Sequence, residues 1–316
     1  MNCGGEPRRK KGRVDECSSC PLLSLGSDLL TRCASYLAPG DMVQLGRTGK
    51  RFGHVQPGCQ RSLANEAAHQ EFLVAAEHDK EALPKYEDES DVKLYRELLL
   101  MRQDLVFGTY TPGSIQISDT GTRLSRGCWG TAVCSQVMRG GKHLVRFSVT
   151  ERDQFETRGL FGLVRPLPWA DIKHHDLQRN VLVHVYENSD LDSHDGEDVN
   201  AGELARLLRN TTISSVRSGG SDVHCCAYAL AYGEWYSTNW ADTYIAREDW
   251  PGMEDMQETG EISMLLDYGA GTLTIYKNNR RLGIVQDGLA GEYSWMVSLG
   301  GDASIDIEDL GALRSI

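Results

Sequence analysis

No stretch of the sequence approaches the roughly 18 consecutive apolar residues that a membrane-crossing helix needs, so no transmembrane helix is expected. No apolar h-region follows the basic N-terminal stretch MNCGGEPRRKKGRVDEC, which is therefore not read as a secretory signal. The expected location is the reducing cytoplasm or the nucleus. Positive charge is also in short supply. A formal net charge of −12 leaves no electrostatic footprint for nucleic acid. The exception is Arg8, Arg9, Lys10, Lys11 and Arg13, read as a solvated charge run or a nuclear-localisation patch. Paired metal-ligand motifs are missing as well. Cys17 and Cys20 form a CxxC pair, with Cys3 and Cys33 near along the chain, but the second pair that zinc needs is absent. Nine cysteines, an odd number, in a reducing compartment read as free thiols.

Catalytic fingerprints are lacking too. There is no G-x-S-x-G elbow, Walker loop, HExxH or G-x-G-x-x-G. The stretch Asp190 to Gly196 is similar to a calcium loop, but position six is Asp195 rather than Gly and position twelve is Ala201 rather than Glu. His174-His175 and His224-Cys225-Cys226 offer ligand types, yet adjacent strand residues point to opposite faces and cannot easily share an ion. Cys225 and Cys226 fall just ahead of an expected strand, where one buried small residue is the simplest reading. Asn210-Thr211-Thr212 matches a glycosylation sequon that a cytosolic protein would leave unmodified. No enzyme site, metal or cofactor is expected.

What is present is a chain of 316 residues, 40% hydrophobic and 25% charged, long enough for one large domain and a smaller one. Residues 1–20 carry no apolar periodicity and are expected to be disordered. Within 21–60 the periodicity turns helical. Ser27 suits an N-cap, and Leu29, Leu30, Cys33 and Leu37 recur at helical spacing up to a stop at Pro39-Gly40. Asp41 can cap a second helix carrying Met42, Val43 and Leu45, and a third holds Phe52. Residues 61–107 read as a helical linker interrupted by Pro84 and an acidic run.

From 108 to about 310 the pattern alternates. Runs at 114–117, 144–149, 181–186, 227–232, 262–268, 272–276 and 293–299, separated by turn chemistry, read as an antiparallel β-sandwich. The clearest unit joins two strands across Tyr268–Gly271, then turns again at Asn278-Asn279, where Asn tolerates positive φ.

Two resemblances rest on these residues. Leu266-Asp267, Gly271-Thr272-Leu273, Tyr276, Asn278, Leu282-Gly283 and the strand 293–299 resemble the C-terminal half of a SPRY domain. GGKHLVRFSV (140–149) and FGLVRP (161–166) are similar to its upstream strands, although Leu144 and Val145 stand where that family has an aromatic pair. Residues 24–52 resemble an F-box through Leu25, Asp28, Leu29, Leu30, Tyr36, Leu37, Asp41, Met42, Leu45, Lys50, Arg51 and Phe52. Gly26 replaces that family's proline, and Thr48-Gly49 its Val-Cys.

Together the resemblances imply a mostly β chain. A SPRY-like antiparallel sandwich would follow a small all-α F-box-like segment and a helical linker. The function they imply is that of a substrate receptor of a cullin-RING ubiquitin ligase, with no nucleic-acid or membrane partner. The F-box would dock on the ligase adaptor through Leu25, Leu29, Leu30, Leu37, Met42 and Leu45, residues that could equally serve only to hold the helices together. The SPRY loops would bind a target protein. Candidates are Tyr232, Trp235, Tyr236, Trp240, Arg247 and Trp250, from a stretch rich in hot-spot residue types, with Arg165 and Trp169. A core strand with buried rings is the competing reading. A SPRY-based scaffold without a ligase link is the alternative function.

Overall fold

The computed structural model describes residues 24–110, 115–126, 130–152, 158–166, 219–240, 246–248, 250–254, 256, 259–300 and 303–310. Trp169 and the expected strand at 181–186 lie outside them. Two compact units divide the chain, Met1–Leu73 and Val74–Ile316.

The first unit holds α1 (Ser27–Ala34), α2 (Pro39–Thr48), α3 (Lys50–Gly53) and α4 (Leu63–Leu73). Helix α1 starts one residue earlier than expected. Gly26 is the N-cap because its carbonyl accepts the first ladder bond from Leu30 N, which leaves Ser27 inside the helix. Pro39-Gly40, expected as a stop, instead opens α2. A proline at the first helical position has no orphan N–H to satisfy, and its φ already suits the helix. Asp41 then sits in the first turn, where a carboxylate favours the helix dipole. The three shorter helices pack on α4, whose buried face is Leu63, Ala64, Ala67 and Ala68. Small side chains there allow close approach. At the α2–α3 contact the fit is closer still, since a Cβ on Gly53 would lie 2.0 Å from the Gly46 carbonyl oxygen.

The second unit opens with α5 (Glu77–Ala82) and α6 (Asp91–Met101), the latter capped by Ser90, whose hydroxyl accepts from Lys93 N. The expected 61–107 helical stretch thus contributes α4 to the first unit, and α5 and α6 to the second.

Two seven-stranded antiparallel sheets follow, with strands numbered along the chain. One runs β1 (Phe107–Tyr110), β4 (Gly130–Cys134), β13 (Ser294–Gly300), β6 (Arg158–Val164), β7 (Cys225–Ala229), β8 (Trp235–Thr238) and β9 (Ala246–Glu248). The other runs β12 (Arg280–Gln286), β11 (Thr272–Lys277), β10 (Gly260–Asp267), β5 (Lys142–Arg152), β14 (Ala303–Asp309), β3 (Arg123–Arg126) and β2 (Gln116–Ile117). This is the mostly β, two-sheet antiparallel architecture expected from the alternating runs. No helix among the described residues is long and apolar enough to cross a membrane.

Alternation fills the space between the sheets. Val145, Phe147 and Val149 of β5, Ile262, Met264 and Leu266 of β10, and Phe161 and Leu163 of β6 all belong to one core. Phe147 stacks on Phe161 at 4.8 Å and meets Trp295 edge-on at 6.5 Å, and each such ring contributes roughly 1.5–3 kcal/mol by leaving water. The expected hairpin is present. Asn278 and Asn279 both take positive φ (49° and 63°), as a two-residue turn between β11 and β12 requires. One turn earlier, the Asp267 carboxylate accepts from Gly269 N and Ala270 N.

The cysteine pair departs from expectation. Cys225 and Cys226 lie within β7 rather than ahead of it, and both are buried. Cys226 faces the core between the sheets, while Cys225 on the opposite face touches Met296 Sδ at 3.5 Å. Burial pushes the Cys226 thiol up to about 12, and Cys134 and Cys225 well above the usual thiol range. Cys33 and Cys59 are exposed. A thiol reagent under native conditions is therefore expected to label Cys33 and Cys59 quickly. Cys134, Cys225 and Cys226 should react only at the rate of unfolding, read by peptide mapping against time.

Candidate functional site

The helical unit presents an unexpected apolar stripe. Leu30 and Met42, expected to contact a partner, are buried, and Leu25, Leu37 and Leu45 are half-buried. Leu30 and Ala34 form the inner face of α1. The outer face carries Leu29 and Cys33 at positions i and i+4, and Tyr36 follows in the turn just past the end of α1, with Leu29 57% and Tyr36 80% exposed. Val43 on α2 is 42% exposed. Leu29 is thus the member of the six expected residues that is exposed. Tyr36 and Val43 were not among the six. The Arg51 guanidinium donates to the Leu25 carbonyl and ties α3 to the chain just ahead of α1.

In the sandwich, most of the expected aromatic set is buried. Trp235 is fully buried and its Nε1 donates to Gln286 Oε1 at 3.0 Å. Tyr236 is buried, with its hydroxyl on the Glu234 carboxylate. Trp240, also buried, adopts φ +53° and stacks on His224 at 5.3 Å. Trp250 donates from Nε1 to Gly233 O at 2.8 Å, and its ring occupies the space left by Gly252, where a Cβ would come within 2.1 Å of it. Trp250 is 9% exposed, which makes it a brace rather than a contact residue. Arg247 lies on β9 opposite Tyr236. Tyr232 differs: it is 57% exposed at the β7–β8 turn.

That turn is braced against Glu254 and Met256. Met256 N donates to Leu230 O at 2.8 Å, and the Tyr228 hydroxyl donates to Glu254 O. Gly233 is so close to Glu254 that an added Cβ would lie 2.4 Å from its backbone. Tyr232 and Met253 (45% exposed) therefore project from two turns in direct contact, with exposed Pro251 alongside Met253. The Glu254 carboxylate holds Lys277 at 3.2 Å and Arg280, and these partners draw its pKa below the usual range. The result is a braced platform with an aromatic, a methionine and a charged rim.

Arg165, expected to contact a target, is instead an internal clamp with no exposed surface. Its guanidinium donates to Ala290 O (2.7 Å), Glu292 O (3.0 Å) and Ser221 O (3.2 Å), and lies 3.9 Å from the centre of the Tyr293 ring. A second buried arginine, Arg139, donates to Glu89 Oε2 at 2.7 Å and joins the segment before α6 to the sandwich. Nearby, His143 Nε2 donates to Gly140 O at 2.7 Å, and burial lowers the pKa of the ring. The folded state then binds this proton less readily than the unfolded chain. Stability is full above the unfolded value near 6.5 and is lost as pH falls below it, until the folded ring itself protonates. Urea midpoints for wild type should drop from pH 7.5 to pH 5.5 more than those of His143→Asn.

Among the described residues no cluster of His, Cys, Asp and Glu could hold a metal ion. No protein-family profile and no curated protein sequence matches the chain. Similar solved structures include the SPRY domain of human HERC1, at 14% identity, TM-score 0.37, covering 64% of this chain and 98% of that one. The TRIM65 PSpry domain is 14% identical, with TM-score 0.37 and coverage of 68% and 95%. The carbohydrate-binding module CBM66 from Bacillus subtilis is 11% identical, with TM-score 0.33 and coverage of 65% and 96%.

Proposed function

We propose that this chain is a non-enzymatic, two-ended interaction protein that serves as a substrate receptor of a cullin-RING ubiquitin ligase. The helical unit docks on the ligase adaptor, and the sandwich captures the protein to be marked. The outward stripe of Leu29, Cys33 and Tyr36 carries this reading, because a short helical unit gains nothing for its own fold by holding a leucine and a tyrosine in water. Laid into an apolar groove, Leu29 and Cys33 at i and i+4, with Tyr36 in the turn after them, would supply the anchors. Tyr232 and Met253 are the target-facing residues of the sandwich, on turns that need little ordering when a partner binds.

Mixing the full chain with adaptor and cullin tests the reading by gel filtration. Co-elution of all three supports it, and separate elution of the chain favours the scaffold alternative. Gly26 and Thr48-Gly49, where the F-box pattern is broken, support that alternative. Replacing Tyr232 and Met253 with serine should weaken target capture at least tenfold without lowering the melting temperature, since both side chains already face water.

A further inference from the structure

Thr48-Gly49, the break in the F-box-like pattern, lies in an unusual electrostatic setting. The chain is acidic overall, yet from Met42 to Asn65 it holds Arg47, Lys50, Arg51 and Arg61 and not one Asp or Glu. Thr48 is the last residue of α2 and is exposed, its hydroxyl donating to Leu45 O at 2.7 Å. Gly49 follows in extended backbone (φ −174°, ψ 155°), and Lys50 and Arg51 open α3. A hydroxyl is thus presented at a break between two helices, with cations on both sides. One of those cations, Arg51, holds the Leu25 carbonyl two residues before α1 begins.

We propose that Thr48 is a phosphorylation site for a kinase that selects basic flanking residues, and that the phosphate releases the start of α1. Thr48 Oγ attacks the γ-phosphorus of ATP. The Oγ–P bond forms as the bond to the β–γ bridging oxygen breaks, ADP leaves with that electron pair, and the hydroxyl proton passes to the kinase's base. The product carries a charge of roughly −1.5 to −2. It cannot settle against α2, whose C-terminal carbonyls repel it. Arg47, Lys50 and Arg51 attract it through charge-assisted hydrogen bonds, stronger than the bond Arg51 makes to a neutral carbonyl. Arg51 therefore leaves Leu25, and the segment leading into Leu29 and Tyr36 loosens. The consequence for docking rests on the function proposed above; the release of α1 does not.

The test treats the full chain with ATP and such a kinase, maps the phosphate by mass spectrometry, and follows hydrogen exchange across residues 24–37. Phosphate on Thr48 should speed exchange there about tenfold, the effect of losing one charge-assisted bond from a local opening equilibrium. Thr48→Val should abolish both changes, and Arg51→Met should speed exchange without any kinase. Failure of Thr48 to accept phosphate, or unchanged exchange after it does, would overturn the proposal. Adaptor affinity should fall in parallel. If exchange rises but the unmodified chain never binds the adaptor, the switch stands and the docking reading fails.

Discussion

Replacing Arg165 with methionine should lower the stability of the sandwich by about 3–5 kcal/mol, roughly 10 °C in melting temperature for a unit of this size. The residue is fully buried, and its guanidinium satisfies the carbonyls of Ala290, Glu292 and Ser221. Methionine fills much of the volume but donates nothing, so three acceptors lose their donor in an apolar setting and the contact with Tyr293 is lost. Arg165→Lys should recover part of the loss. It keeps the charge, but a single ammonium cannot reach three divergent carbonyls or lie flat on a ring. Chemical denaturation followed by tryptophan fluorescence measures this. A loss below about 1 kcal/mol for the methionine variant would mean that the carbonyls find other donors and that Arg165 is no clamp.

The second large effect belongs to Arg139. Its pair with Glu89 is buried on both sides, with side-chain exposures of 1% and 0%, and Tyr86 lies under the guanidinium at 5.2 Å. Arg139→Met strips buried Glu89 of its guanidinium partner and leaves, among the described residues, Lys93 Nζ at 3.8 Å, at an expected cost of roughly 3–5 kcal/mol. The double variant Arg139→Met, Glu89→Leu should regain most of that stability, because a buried ion pair contributes little net once its desolvation is counted. A double variant no more stable than the single would show that the pair does more than neutralise itself.

Regular elements were legible wherever short-range chemistry decides them. The β10–β11–β12 segment could be read because Asp267 and Asn278-Asn279 impose turns locally, and the flanking residues alternate without interruption. The helical starts shifted, by one residue at α1 and three at α2, since Gly26 and Ala38, neither with a side-chain cap, set them through backbone bonds alone. The site was less legible, for a physical reason. Trp, Tyr and Arg dominate both binding hot spots and the anchoring of cores, so the composition of 231–250 could not separate the two. Space decided it. Trp250 is inside because Gly252 and Gly233 leave room and a carbonyl for it, and Trp235 because Gln286, 51 residues on, meets its N–H. Likewise Leu29 and Leu30 are neighbours in one helical pattern. The alanine face of α4, more than thirty residues later, determines that Leu30 points inward and Leu29 outward. Arg165 carried no local sign that three distant carbonyls would converge on it.

Calorimetric titration of the ligase adaptor with the full chain, wild type against Leu29→Asp plus Tyr36→Asp, tests the central claim most directly. Both side chains face water in the free protein, so the double variant should keep its circular dichroism and melting temperature. An unpaired carboxylate forced into an apolar groove costs several kcal/mol, so binding should weaken by at least about a hundredfold. One-to-one binding by the wild type that vanishes in the folded double variant is the predicted result. Equal affinity in both, or no heat from either, would contradict docking through α1.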